Sequence, residues 1–143
     1  MITKTKTMII LLDFDGTVVT HNFPQIGTDI GAVPVLKELI NAGHKLILFT
    51  MRSDTCDPNH KYNPKQDGMY LTDAVNWFKE NDIPLYGIQT NPEQHSWTSS
   101  PKAYGHLIID DTALGCPLIH PENKRSYVDW EVVRAWLIAN KYI

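Results

Sequence analysis

The run Met8-Ile9-Ile10-Leu11-Leu12 is apolar without a break and stops at Asp13-Phe14-Asp15-Gly16. A strand wetted on one face alternates apolar and polar side chains, so an unbroken run of this length describes a strand covered on both faces, as in a parallel sheet. That requirement confines the chain to layered α/β architectures. The rest of the sequence supplies the layers. From Ile30 to Asn41 the apolar positions Val33, Leu36, Leu39 and Ile40 recur at helical spacing, and Gly43 stands where a helix C-terminus favours a left-handed residue. Lys45 to Phe49 reads as a second strand. Leu71, Ala74, Val75 and Phe78 share one face of a helix over Leu71 to Glu80, and Leu85 to Ile88 is a third strand. His106 to Ile109 gives a fourth strand ended by Asp110-Asp111, and Pro117 to Ile119 a short fifth. Asp129 to Asn140 is a last helix with Val132, Val133, Trp136 and Leu137 inward. Alternation in this order predicts right-handed crossovers and a doubly wound, Rossmann-like parallel sheet, in one domain over residues 1–143.

Composition narrows the partners. The formal net charge is -3 and the longest basic block is Lys124-Arg125, which argues against an electrostatic grip on nucleic acid or an anionic membrane. The run ended by Asp13 is too short for a signal-peptide core or a bilayer span. Two cysteines, Cys56 and Cys116, are too few for a disulfide scaffold, and 143 residues bury a core without one, which fits a cytoplasmic protein. Residues 52–68, polar and carrying Pro58, Pro64 and Gly68, have no regular pattern. A structureless stretch of that length is uncommon in a compact domain and is often functional, so it is read as a substrate-specificity lid.

Open α/β sheets bind ligands beyond the carboxyl ends of their strands. Asp13, Asp15, Thr50, Asp110 and Asp111 fall at or just past such ends, and Lys102 lies on the segment leading into a strand. Carboxylates gathered in one crevice repel each other and need a compensating cation; hard oxygen ligands suit Mg²⁺. Beside it, the Thr50 hydroxyl and the Lys102 ammonium are what a phosphoryl group needs to have its oxygens neutralised. Read singly, each residue has a plainer role: Asp and Gly make turns, Asp110 and Asp111 cap them, and a lone lysine is usually solvated. The set gives them weight. Arg52 follows Thr50 closely and is a further candidate for contact with substrate. Cys56 with His60 and Cys116 with His120 repeat a C-x-x-x-H spacing, a donor set for zinc that matches no recognised finger pattern, so coincidence is the simpler reading. Trp77, Phe78, Trp130 and Trp136 read as core or interface, and Trp97, among polar neighbours, as exposed.

Four segments taken together, Asp13-Phe14-Asp15-Gly16-Thr17-Val18-Val19, Leu46-Ile47-Leu48-Phe49-Thr50, Lys102 upstream of a strand, and Leu107-Ile108-Ile109-Asp110-Asp111, resemble the ordered motifs of the haloacid dehalogenase superfamily of phosphohydrolases. The resemblance spans about Met8 to Leu118. His21, Pro24 and Ile26-Gly27 after the first motif are similar to a branch of very small members without a cap domain. The resemblance implies that Asp13 is a nucleophile forming an aspartyl-phosphate, and that Asp15 protonates the leaving oxygen and then deprotonates water. It implies Mg²⁺ on the Asp13 carboxylate, the Asp15 backbone carbonyl and Asp110, with Asp111 a direct or water-mediated ligand. Thr50 and Lys102 would hold the phosphoryl group, and Gly16 would let backbone N–H groups approach it. The implied activity is that of a Mg²⁺-dependent phosphomonoesterase acting on a small phosphorylated metabolite or nucleotide. An open site leaves a polynucleotide 3′-phosphatase or a phosphoprotein phosphatase as alternatives, as well as a homo-oligomer in which a neighbouring subunit lends a lid. A non-enzyme alternative is a phosphate-binding or receiver-like signalling module. Motif order separates the last, because a receiver has its acidic pair after the first strand and its acceptor aspartate later. Haloacid dehalogenation itself departs from the DxD pattern that Asp15 keeps.

Overall fold

The computed structural model describes residues 6–55 and 68–143. Along the chain run β1 (Ile9–Leu12), α1 (Ala32–Asn41), β2 (Lys45–Leu48), β3 (Asp54–Thr55), β4 (Gly68–Met69), α2 (Tyr70–Glu80), β5 (Gly87–Ile88), β6 (Leu107–Ile109), β7 (Leu118–Ile119), β8 (Tyr127–Val128) and α3 (Trp130–Ala139). Four of the strands form a parallel sheet in the order β5-β2-β1-β6. The unbroken apolar run is explained by its central place: Ile10 pairs with Leu46 and Leu107, and Leu12 with Leu48 and Ile109. On one face Ile10, Leu12, Leu46 and Leu48 join a core with residues of all three helices. On the other, Leu11 and Ile47 pack against Ala103. The architecture is α/β and compatible with a Rossmann-like doubly wound fold, with one layer helical and the other made by the crossover from β5 to β6.

That crossover is irregular apart from a 3-10 turn at Gln94–Ser96. Side-chain amides do what a helix would do for itself. Gln94 accepts the Tyr104 N–H at 2.7 Å and donates to the carbonyls of Ser100 and Lys102, while Asn91 donates to the Tyr104 carbonyl at 3.0 Å. Both amides are buried, so backbone groups over the sheet are satisfied away from water.

Gly43, at a φ of +92°, ends α1 as expected: its N–H bonds the Ile40 carbonyl and that of His44 the Leu39 carbonyl, a paired C-terminal closure. Two expectations need correction. The segment Pro117 to Ile119 does not extend the parallel sheet; β7 pairs antiparallel with β8 in a separate hairpin. In α3 the inward residues are Trp130, Val133 and Leu137, whereas Val132 and Trp136 are 48% and 46% exposed. Apolar residues on two adjacent stripes allow either phase. Trp136 instead stacks on Tyr142, 6.0 Å away. Asp129 caps this helix, accepting the N–H groups of Glu131 and Val132. Trp77, Phe78 and Trp130 are core residues and Trp97 is exposed, as the sequence suggests. Among the described residues no helix is long and apolar enough to cross a membrane.

Candidate functional site

Because Leu12 is paired with Ile109, the residues that follow β1 and β6 leave the sheet as neighbours. One carboxylate oxygen from each of Asp13, Asp110 and Asp111 lies within 4.8 Å of the others. Thr17, fully buried, ties them together: its hydroxyl donates to Asp13 Oδ2 at 2.8 Å, accepts the Asp111 N–H at 3.1 Å, and sits 3.4 Å from Asp111 Oδ1. The loop carrying Asp13 to Thr17 is fixed by the C-terminal part of the chain. Trp130 Nε1 donates to the Thr17 carbonyl at 2.7 Å, and the Val128 N–H to that of Gly16 at 3.0 Å. Phe14 anchors it in the core with its ring edge-on to Trp77. Burial pushes the Asp13 carboxyl up to about 7, and the charge of Asp110 and the Asp111 carboxyl add to this against the opposing bonds from Phe14 and Thr17.

The two acidic partners differ. Asp110 turns Oδ1 to the N–H and hydroxyl of Thr112, at 2.9 and 2.8 Å, while its Oδ2 has no hydrogen-bond partner among the described residues. Asp111 is held at both oxygens, by Thr17 and by His21 Nε2 at 3.0 Å. Gly16 makes that last contact feasible. Its φ is +77°, and a Cβ there would collide with the His21 imidazole and stand 2.7 Å from Asp111 Oδ2. Its own N–H donates to the Val19 carbonyl at 2.8 Å, inside the turn, so what the missing side chain secures is the approach of His21 to Asp111.

Asp15 faces elsewhere. Arg52 Nε donates to Asp15 Oδ2 and Nη2 to Oδ1, both at 2.8 Å, a two-pronged pair. The other guanidinium N–H groups reach the carbonyls of Gln25, Pro24 and Tyr70 at 2.8, 3.2 and 3.3 Å. Phe14 and Phe23 lie about the guanidinium carbon at 5.2 and 5.1 Å. Arg52 is 2% exposed and all of its donors are engaged within the protein, so the expectation that it reaches for substrate is replaced by a grip on Asp15.

Thr50 ends β2. Its N–H donates to Gln89 Oε1 at 2.8 Å, its carbonyl accepts from Gln89 Nε2 at 2.6 Å, and its hydroxyl accepts the Arg52 N–H at 3.1 Å. Lys102 is exposed on the crossover leading into β6 and makes no ion pair among the described residues. Its N–H and carbonyl are tied to Ser100 and Gln94.

Of the zinc donor set, Cys56 and His60 lie outside the described residues. Cys116 is a free thiol pushed up by burial, and His120 Nδ1 meets the Ser126 hydroxyl at 2.6 Å. The anticipated lid at 52–68 is described only at its base, where Asp54 pairs with Met69 and Thr55 with Gly68; residues 56–67 lie outside the described residues. Sequence alone assigns no role to Thr17, His21 or Gln89. The first two sit inside or beside the first motif, but Gln89 carried no signal beyond its position just past a strand.

The solved structure of a conserved protein from Bacteroides thetaiotaomicron superposes on this chain with a TM-score of 0.68, at 31% sequence identity over 95% of this chain and 93% of that one. The chain belongs to the family of that conserved protein. No protein-family model and no curated protein matches it.

Proposed function

We propose that the chain is a Mg²⁺-dependent phosphomonoesterase of the haloacid dehalogenase type, working through an aspartyl-phosphate on Asp13 with a small phosphorylated metabolite or nucleotide as substrate. The observation that carries this reading is the meeting of Asp13, Asp110 and Asp111 at the ends of two adjacent strands, with the Asp13 carboxyl pushed up to about 7. Like charges brought this close suit a hard divalent cation. The all-oxygen donor set and Asp110 Oδ2, which has no partner among the described residues, fit Mg²⁺. Bound there, Mg²⁺ would supply the positive charge that keeps Asp13 ionised and draws electron density from a phosphoryl group.

The chain's own residues do the rest. Asp13 attacks phosphorus as the bond to the leaving oxygen breaks, and Thr17 holds its Oδ2 in place for this. The Thr50 hydroxyl, already accepting the Arg52 N–H, has its proton to offer a phosphoryl oxygen. To pass a proton to the leaving group and later take one from water, Asp15 uses the lone pairs that the two bonds from Arg52 leave free, and loosening one of those bonds would ease the transfer. Lys102 enters this reading through the resemblance alone.

The test is hydrolysis of an aryl phosphate with Mg²⁺, with EDTA, and by Asp13→Asn. Turnover lost by at least about a thousandfold in the variant and in EDTA is the expected result, since nucleophile and cation act as one unit. Undiminished turnover in either sinks the reading.

A further inference from the structure

Gln89 stands just past β5 in a left-handed conformation, φ +64°, which a side-chain-bearing residue adopts only when something holds it there. Its N–H still bonds the Leu48 carbonyl at 2.7 Å, the last rung between β5 and β2. Beyond that rung the backbones part, and the side-chain amide takes over. Oε1 accepts the Thr50 N–H and Nε2 donates to the Thr50 carbonyl, so both peptide groups of one residue are clamped as a neighbouring strand would clamp them. The same Nε2 lies 3.3 Å from the Arg52 carbonyl. A turn that would otherwise end a sheet loosely is thereby fixed at Thr50 and at Arg52.

Two consequences meet at the site. The Thr50 hydroxyl accepts the Arg52 N–H and has no acceptor of its own among the described residues, so its proton points to whatever oxygen arrives. Arg52, held at its carbonyl, in turn grips both oxygens of Asp15. We infer that Gln89 is a positioning residue for the phosphoryl site, presetting the Thr50 hydroxyl for the oxygens of a phosphate and, through Arg52, the place of Asp15. This rests on the phosphatase reading above.

Three variants and one probe test it. Gln89→Gly removes the amide while suiting the left-handed backbone, so it keeps the fold. Gln89→Glu keeps the acceptor for the Thr50 N–H but sets a carboxylate against two carbonyls. Thr50→Val removes the hydroxyl itself. Orthophosphate affinity with Mg²⁺, aryl-phosphate kinetics and hydrogen exchange at the Thr50 amide are read for each. In Gln89→Gly the Thr50 amide should exchange faster, and orthophosphate should bind about tenfold more weakly, as when one hydrogen bond to an anion is misplaced. KM should rise by a similar factor with a smaller fall in kcat, and Gln89→Glu should be no better. In the Thr50→Val background Gln89→Gly should cause no further loss of orthophosphate affinity, a coupling that a merely structural role does not produce. A folded Gln89→Gly that binds orthophosphate like the parent chain, or losses that add in the double variant, overturns the inference alone. A parent chain that neither binds orthophosphate nor hydrolyses the ester overturns the phosphatase reading and takes this inference with it.

Discussion

Arg52 and Asp15 meet where the ends of β2 and β1 lie side by side, and Arg52 is 2% exposed with Asp15 accepting at both oxygens. Removing one partner of such a pair leaves a charge stranded in a poorly solvated place. Arg52→Gln should lower stability by about 3 kcal/mol, while pairing it with Asp15→Asn should recover more than half of that. Denaturant midpoints of the two singles and the double measure the coupling; additive losses would mean that the ion pair contributes little. Asp13 gives a prediction with a sign. Its folded carboxyl titrates near 7 against 3.8 for the ordinary group, so the native state holds the extra proton between those values. Stability from this group is full below pH 4 and drains away as pH rises through 7. In EDTA, Asp13→Asn should therefore be more stable than the parent at pH 8, by about 1–3 kcal/mol after allowing for partial exposure, and show little difference at pH 4. Chemical denaturation at the two pH values checks it. The acidic trio was legible because each member follows a strand end, and strand ends are where open sheets place their chemistry. The Arg52 grip was not, because a side chain's direction cannot be taken from a lone charge in a polar stretch. Lys102 is suggested by its type and order alone, and it stands exposed on the crossover that leads into β6.

Elements with a period or an unbroken run stood out: the three helices and the four strands of the sheet. β3, β4 and β8 are two residues each, too short to have a period, and only their partners define them. The crossover after β5 has no helical pattern because Gln94 and Asn91, not i→i−4 bonds, satisfy its backbone. The start of α2 shows a similar substitution. Met69, its N-terminal flanking residue, offers no side-chain cap; Asp54 on β3 serves instead, accepting the N–H and hydroxyl of Thr72 at 2.9 and 2.6 Å. Asp54→Ala should cost about 1 kcal/mol, the usual worth of a helix cap, and speed hydrogen exchange in the first turn of α2. Unchanged exchange there would show that the β3-β4 ladder alone secures the helix start.

The whole chain converges on the loop after β1. Trp130 and Val128, more than a hundred residues downstream, bond the carbonyls of Thr17 and Gly16, and Asp110 and Asp111 arrive from β6. The site is therefore complete only when both ends of the chain have folded around the sheet, so site and core should melt together. On the proposed phosphatase reading, Asp13 is the group that takes the phosphoryl. In Asp15→Asn, where the amide oxygen still accepts from Arg52, the second step should be slower than the first, so the covalent species accumulates. Intact-mass and peptide analysis of that variant, mixed with an activated aryl phosphate and Mg²⁺, should find a mass gain of about 80 Da on the peptide holding Asp13, the increment of one phosphoryl group. It should vanish in EDTA and on further change to Asp13→Asn. A label on any other residue, or one that survives Asp13→Asn, would contradict the account.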